Sequence, residues 1–242
     1  VSQEILIERL FDALISGDRS ESRQIIATTL DEGSSAEQII TDLFWPTYER
    51  IDSFYRNDQL TTLSHHLATR LLRVLVDQTT LRLDRQPTVD RTIFAICGPT
   101  DADELSAQMA VDLLEARGFT VRFAGGGIAM DEVLATVQET KPKHLLLFAS
   151  APQDLPQIRG LIDTLNEIGA CSQDSGRLQV VVGGGVFNRA DGLAAEIGAD
   201  LWATTPGELV AQLVEHPDQR AGREQRTVGK NKVIGKKKAA AA

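Results

Sequence analysis

The stretch CGPTDADELS, Cys97 to Ser106, sets two carboxylates, Asp101 and Asp103, behind Thr100 at the head of a helical pattern. No histidine, lysine or glycine-rich phosphate cradle stands beside them. Two aspartates in this place suit a polar ligand group or a local role, because Asp101 to Glu104 reads as a capping box with Asp103 in the first turn. Other residues able to do chemistry are few. His65 and His66 are adjacent in an apolar helical pattern and point about 100° apart, so one of them faces a ligand, with His66 favoured by its place beside the apolar stripe. Cys97 ends an apolar run as a buried thiol or, alternatively, a metal ligand or attachment point. Two triple glycines, Gly125 to Gly127 and Gly183 to Gly185, allow tight turns or close backbone approach to a ligand. His144 starts an apolar run at the far end from these groups, and His216 lies near the tail, so neither is taken as a site residue.

Two periodicities position these groups. Residues 1–83 read as helices alone. Ser2 caps a first helix carrying Ile5, Leu6, Leu10, Phe11 and Leu14, and a second carries Ile25, Ile26 and Leu30. A third opens with a Ser35–Gln38 capping box and should bend or restart at Pro46. The last, from Leu60 to Leu83, shows a stripe of Leu60, Leu63, Leu67, Leu71 and Val74, which makes a four- or five-helix bundle. Residues 84–90, DRQPTVD, read as a linker. Over 91–216 five apolar runs alternate with helical segments, the pattern of a flavodoxin-like, doubly wound five-stranded parallel sheet. Its ligand crevice should lie at the carboxyl ends of the strands, among the loops at 98–103, 125–129, 150–154 and 183–188.

Composition narrows the function. No run of eighteen apolar residues appears, and two cysteines make no disulfide framework, which points to a soluble, cytoplasmic, reduced protein. The net charge of −9 divides unevenly: Arg220 to Ala242 carries eight basic residues and one acidic, leaving −16 on the rest. So acidic a body does not bind nucleic acid, whereas the tail, 217–242, reads as basic and disordered with an open choice of partner. The dinucleotide fingerprint and the Walker loop are both absent, and a phosphoacceptor receiver would need an aspartate where the third strand ends in Ser150.

The order of the halves and several strings resemble the cobalamin-binding module of corrinoid methyltransferases and of light-sensing, adenosylcobalamin-binding repressors. FDALISGDRSESRQIIATTLDEGSSAEQIITDLFWPTYERI, Phe11 to Ile51, is similar to the first helices of the family's cap. FYRNDQLTTLSHHLATRLL, Phe54 to Leu72, is similar to its signature stretch, with Tyr55 in the aromatic place and His65–His66 where a Glu–His pair is expected. EIGADLWATTPGELV, Glu196 to Val210, resembles the last strand and helix. The resemblance implies that a helical cap covers the upper face of a corrin and that an Asp-x-His-x-x-Gly loop supplies a histidine to cobalt from below. Aligned on Asp101, Asp103 stands for that histidine and Ser106 for the glycine. The Ser-x-Leu loop that meets the nucleotide tail reads Ser150-Ala151-Pro152, Gly183–Gly184 is retained, and Leu201 and Trp202 are bulky where a small residue is usual.

The resemblance therefore implies a cobalamin, adenosylcobalamin or another corrinoid, held by Tyr55, His65, His66, Thr100, Asp101, Asp103, Ser150, Pro152, Gly183, Gly184, Gly185 and Trp202 with no histidine beneath it. Asp103 would meet a ligated water or a pyrrole nitrogen, since carboxylate is a harder ligand than imidazole. Haem or biliverdin are variants, with His66 or Cys97 as the metal or attachment group. The expected role is a non-catalytic sensor or photoreceptor-like regulator acting through a protein partner or a homo-oligomer. A corrinoid methyl carrier and an empty interaction scaffold are the alternatives.

Overall fold

The computed structural model describes residues 2–171 and 178–221. Helices α1 (Gln3–Ser16) and α2 (Arg19–Asp31) part at Gly17, whose φ of 74° ends the first. The Asp18 carboxylate then caps α2 by accepting from the amides of Ser20 and Glu21. Ser2 stands before α1 without a side-chain capping bond, contrary to its expected role. The Ser35–Gln38 capping box forms and opens α3 (Ala36–Gln38). Pro46 does not break the chain's course. A π-helical stretch, Ile39–Phe44, shifts the register so that proline falls in the first turn of α4 (Trp45–Arg56), where a missing amide costs little.

In α5 (Thr62–Thr80) the buried face is Ala68, Leu71, Leu72, Leu75, Val76 and Thr79. The expected stripe is thus corrected: Leu63 is 69% and Leu67 38% exposed, because α5 is turned so that His65, Ala68, Thr69 and Leu72 face inward instead.

The second half builds β1 (Thr92–Cys97), α6 (Asp101–Ala116), β2 (Thr120–Gly126), α7 (Met130–Thr140), β3 (His144–Phe148), α8 (Leu155–Glu167), β4 (Gln179–Gly183), α9 (Gly185–Asn188), α10 (Leu193–Ile197), β5 (Leu201–Trp202) and α11 (Pro206–Glu215). The sheet is parallel in the order β2-β1-β3-β4-β5. This is the expected flavodoxin-like arrangement, with its reversal of strand order at β1/β3. Two departures stand out. The run expected as a fifth strand pairs only at Leu201 and Trp202, and β2, at the sheet edge, is half-exposed rather than buried on both faces.

One buried apolar cluster runs from α1, α4 and α5 through α6 into β1, β3 and β4, while a second lies on the opposite face under α7 and α8. Helix α6 is therefore shared between the bundle and the sheet. The linker lies against α6, its Gln86 and Val89 amides donating to Ala116 and Gly118. Pro217–Ala221, expected to begin the tail, are bound back to the fold through Gln219 Nε2 and the Ala221 amide, which donate to Asp200. The remaining tail, 222–242, lies outside the described residues. Among the described residues no helix is long and apolar enough to cross a membrane.

Where α5 meets α6, Gln108 donates to Asp77 at 2.6 Å, and one buried oxygen of the Asp112 carboxyl makes no hydrogen bond among the described residues. Burial, then Glu115 and Asp77, push this carboxyl up to about 7 against the relief of Arg85 and Gln108. A folded-state value above the ordinary one of 3.8 means that the folded chain holds a proton that the unfolded chain has lost between those pH values. Stability should therefore fall as pH rises from about 4 to 7, by about 1 kcal/mol after allowance for solvent screening. Denaturant titrations of the native protein and of Asp112→Asn across this range check it: the variant should flatten the slope.

Candidate functional site

The β1–α6 loop carries the acidic pair. Thr100, not Asp101, is the N-cap: its Oγ1 accepts from the Asp103 amide at 3.1 Å, and Asp103 Oδ2 accepts from the Thr100 hydroxyl at 2.5 Å and amide at 3.3 Å. The capping box is thus one residue earlier than expected, because the strand ends at Cys97 and leaves three loop residues before the helix. Asp103 is 1% exposed, and its second oxygen, Oδ1, has no hydrogen-bond partner among the described residues. A Cβ on Gly98 would lie 2.6 Å from the carboxylate, so glycine at 98 makes the space for it. Asp101 is exposed and sits 4.0 Å from Arg70.

Above this loop lies α4. Tyr48 is 4% exposed, and its hydroxyl faces Ser106 and Ser150 with the carboxylates of Asp52 and Asp103 nearby. Burial first, and those carboxylates second, hold the phenol well above its ordinary range, so it is a neutral hydroxyl. Glu49, one residue on, is raised by burial and by Asp52 and faces Asn188 of the β4 loop. Arg189 ties the same loops to the cap, donating to the Ser150 carbonyl and lying 3.9 Å from Asp52. Arg73–Glu104 at 3.0 Å and Arg117–Glu37 at 2.5 Å complete a charged seam between the two halves. Tyr48 and Arg189 escaped the sequence reading. The available signal was the Trp45–Tyr48 aromatic pair three residues apart on one helix face, its rings 5.3 Å apart here.

Of the two histidines, His65 is buried and His66 exposed, the reverse of the expected assignment. The 100° between neighbours turns His65 onto Tyr55, their rings stacked at 3.9 Å. Burial lowers the His65 pKa, with His66 adding to the effect and Asp52 and Asp101 opposing it. Its Nδ1 is buried and unpartnered among the described residues. Cys97 lies at the end of β1 as a thiol pushed up to about 12 by burial and by Asp103 and Glu104, hence neither a thiolate ligand nor a nucleophile at neutral pH. No group of three or more His, Cys, Asp or Glu residues arranged to hold a metal ion occurs among the described residues.

The glycine turn after β4 packs closely rather than opening a channel. Gly184, at φ 101°, would bring a Cβ to 2.5 Å from the Ala149 carbonyl, and one on Gly183 would lie 3.1 Å from the Phe148 ring. Gly185 faces the Arg189 guanidinium. The Phe148 ring thus packs directly against Gly183, its partner across the β3–β4 pair. Trp202, expected to crowd that space, is instead 40% exposed; Leu201 is the buried one at 2%. Pro152 is exposed at the start of a short 3-10 turn, Pro152–Asp154, whereas Ser150 Oγ is buried without a partner among the described residues. A cavity of about 270 Å³ lies alongside, lined by Cys97, Gly98, Pro99, Gly127, Phe148 and Asp154 among others. It is smaller than the ~300–1,000 Å³ usual for a whole drug-sized ligand. At the junction of α4 with the strand ends the polar groups are the carboxylate of Asp103 and the hydroxyls of Ser106 and Ser150, close to the Tyr48 hydroxyl.

Residues 6–79 match the family model described as a B12 binding domain. Among solved structures, the fold is similar to the monomethylamine corrinoid protein of Methanosarcina barkeri, with a TM-score of 0.76 at 18% identity over 88% of this chain and 99% of that one. A cobalamin-binding protein of Desulfitobacterium hafniense DCB-2 aligns at TM-score 0.45 and 16% identity, over 86% and 97% of the two chains. The methanol:cobalamin methyltransferase complex of Methanosarcina barkeri aligns at 0.47 and 16%, over 89% and 81%. No curated protein sequence matches.

Proposed function

We propose, from the premise that the helical cap belongs to the B12 binding domain family, that this chain is a corrinoid-binding carrier module. It holds its cofactor between cap and strand ends with no histidine beneath the cobalt, and presents it to a separate protein partner. The observation that supports the reading is a set of buried polar atoms that make no hydrogen bond among the described residues, at the strand-end loops and on α5: Asp103 Oδ1, Ser150 Oγ, Asn188 Oδ1 and His65 Nδ1. Buried polar groups are almost always satisfied, so their concentration along one interface marks a place for a polar ligand. A corrinoid supplies the cobalt chemistry when bound. The chain's own part is to orient it: Thr100 fixes the Asp103 carboxylate, His65 is held flat on Tyr55, and Arg189 holds the β3 and β4 loops to α4.

A second reading, a ligand-responsive regulator, is favoured by the burial of Tyr48 at this junction. A ligand entering this interface must displace Tyr48, which couples occupancy to the position of the cap. Incubation of the purified chain with hydroxocobalamin, adenosylcobalamin, haem and biliverdin, followed by gel filtration, tests the binding. Retention of about one corrinoid per chain supports the proposal; retention of haem or biliverdin instead, or of nothing, overturns it. A change of hydrodynamic radius on corrinoid binding, in the dark or in light, would favour the regulator over the carrier.

A further inference from the structure

The end of the sheet opposite the cap holds a second cavity, of about 260 Å³, lined by Asp90, Arg91, Lys143, His144, Asp218 and Arg220. His144, set aside on sequence grounds, is only 3% exposed at its margin. Its Nδ1 lies 2.7 Å from Gln179 Oε1. The Gln179 amide is oriented by its own bonds, since Nε2 donates to the carbonyls of His216 at 3.1 Å and Gln219 at 2.9 Å. The oxygen must then accept from His144, so the imidazole proton sits on Nδ1 and Nε2 carries the lone pair. Burial pushes this imidazole down to about 4, Arg91, Arg220 and Lys143 adding to the effect and the Gln179 bond opposing it, which leaves the ring neutral at pH 7. Nε2 is buried and has no hydrogen-bond partner among the described residues.

The cavity therefore joins two opposite needs. Arg91 spends one N–H on the Leu213 carbonyl at 3.0 Å, and a guanidinium has five such donors. Lys143 is exposed at the rim and brings three more. These cations call for anionic oxygens, while the bare Nε2 calls for an O–H. Hydrogen phosphate carries both. The carboxylates of Asp90 and Asp218 hold the lining's formal charge down, so selectivity should turn on the hydroxyl rather than on charge alone.

We propose that this cavity is a binding site for hydrogen phosphate, with Arg91 and Lys143 taking its charged oxygens and His144 Nε2 accepting its P–O–H. Sulfate has the same charge and shape at pH 7.5 but no hydroxyl, and is the discriminating probe. Calorimetric titration of the full chain with phosphate and with sulfate, at constant ionic strength, should show phosphate bound ~10-fold more tightly, the worth of one buried hydrogen bond. His144→Phe should erase that preference. Lys143→Gln, at an exposed position, should weaken both anions and keep the preference. Equal binding of the two anions by the native chain, or binding of neither, overturns the proposal. If His144→Phe fails to fold, the ¹⁵N resonance of His144 Nε2 in the native chain decides: a shift with phosphate and none with sulfate supports the site, and no shift with phosphate overturns it. Phenyl phosphate, which has lost its last acidic proton at this pH, should compete no better than sulfate, which marks the free hydrogen phosphate ion as the ligand; competition as strong as that of hydrogen phosphate overturns the hydroxyl requirement.

Discussion

Tyr48→Ala is expected to lower the stability of the chain by about 3 kcal/mol, the cost of removing a buried aromatic ring, and at the same time to speed corrinoid uptake. Both effects have one cause. The ring occupies the junction between α4 and the β1–α6 loop, where it covers Asp103 and meets Ser106 and Ser150. Its removal weakens the packing of α4 on that loop and empties the space that the proposed corrinoid would enter. Tyr48→Phe separates packing from the hydroxyl: it keeps the ring, and its loss should be about 1 kcal/mol. Stopped-flow absorbance with hydroxocobalamin, read beside denaturant titrations, measures both quantities. An Ala variant that is destabilised yet takes up cofactor no faster would show that Tyr48 is structural alone.

Gly184→Val should cost more than about 3 kcal/mol, because φ 101° and ψ 167° lie in a region that only glycine occupies comfortably. The new Cβ would also meet backbone: the Ala149 carbonyl oxygen at 2.5 Å and its nitrogen at 2.9 Å. Those atoms join β3 to the β4 turn through the Ala149 and Val186 amides, so nothing there can yield without breaking the strand ends. Gly185→Ala is the control. Its Cβ would meet the Arg189 guanidinium, the far end of a flexible side chain, and should cost less than about 1 kcal/mol. Thermal unfolding of the pair checks the contrast, and equal losses would contradict the geometry.

The framework was legible because its signals are local. Apolar runs such as HLLLF and QVVVG became β3 and β4, and the Ser35–Gln38 box formed as read. The site was less so, because its details depend on rotation and docking. In α5, periodicity located a helix but could not say which face the bundle would cover, and so Leu63 and Leu67 came out exposed and His65 rather than His66 turned inward. Asp103 was placed correctly at the head of α6, but its cap partner is set by where β1 stops. Tyr48 lies about fifty residues and more from the loops it closes upon and Arg189 lies 39 residues from Ser150, and no local pattern announces such contacts. Phe148 beside Gly183 likewise becomes visible only when β3 and β4 pair in register.

Two features bear on the proposed cofactor: the resemblance implies a histidine where Asp103 stands, and the Phe148 ring packs against Gly183 in the turn that the resemblance assigns to the nucleotide tail. Together they lead to the view that cobalamin bound here keeps its own base on the metal. The absorption spectrum of the purified protein reconstituted with adenosylcobalamin in the dark tests this most directly. A base-on spectrum, unchanged in His65→Ala and His66→Ala variants, is the predicted result. A spectrum of histidine-ligated cobalt, or one that a histidine substitution abolishes, would contradict the account.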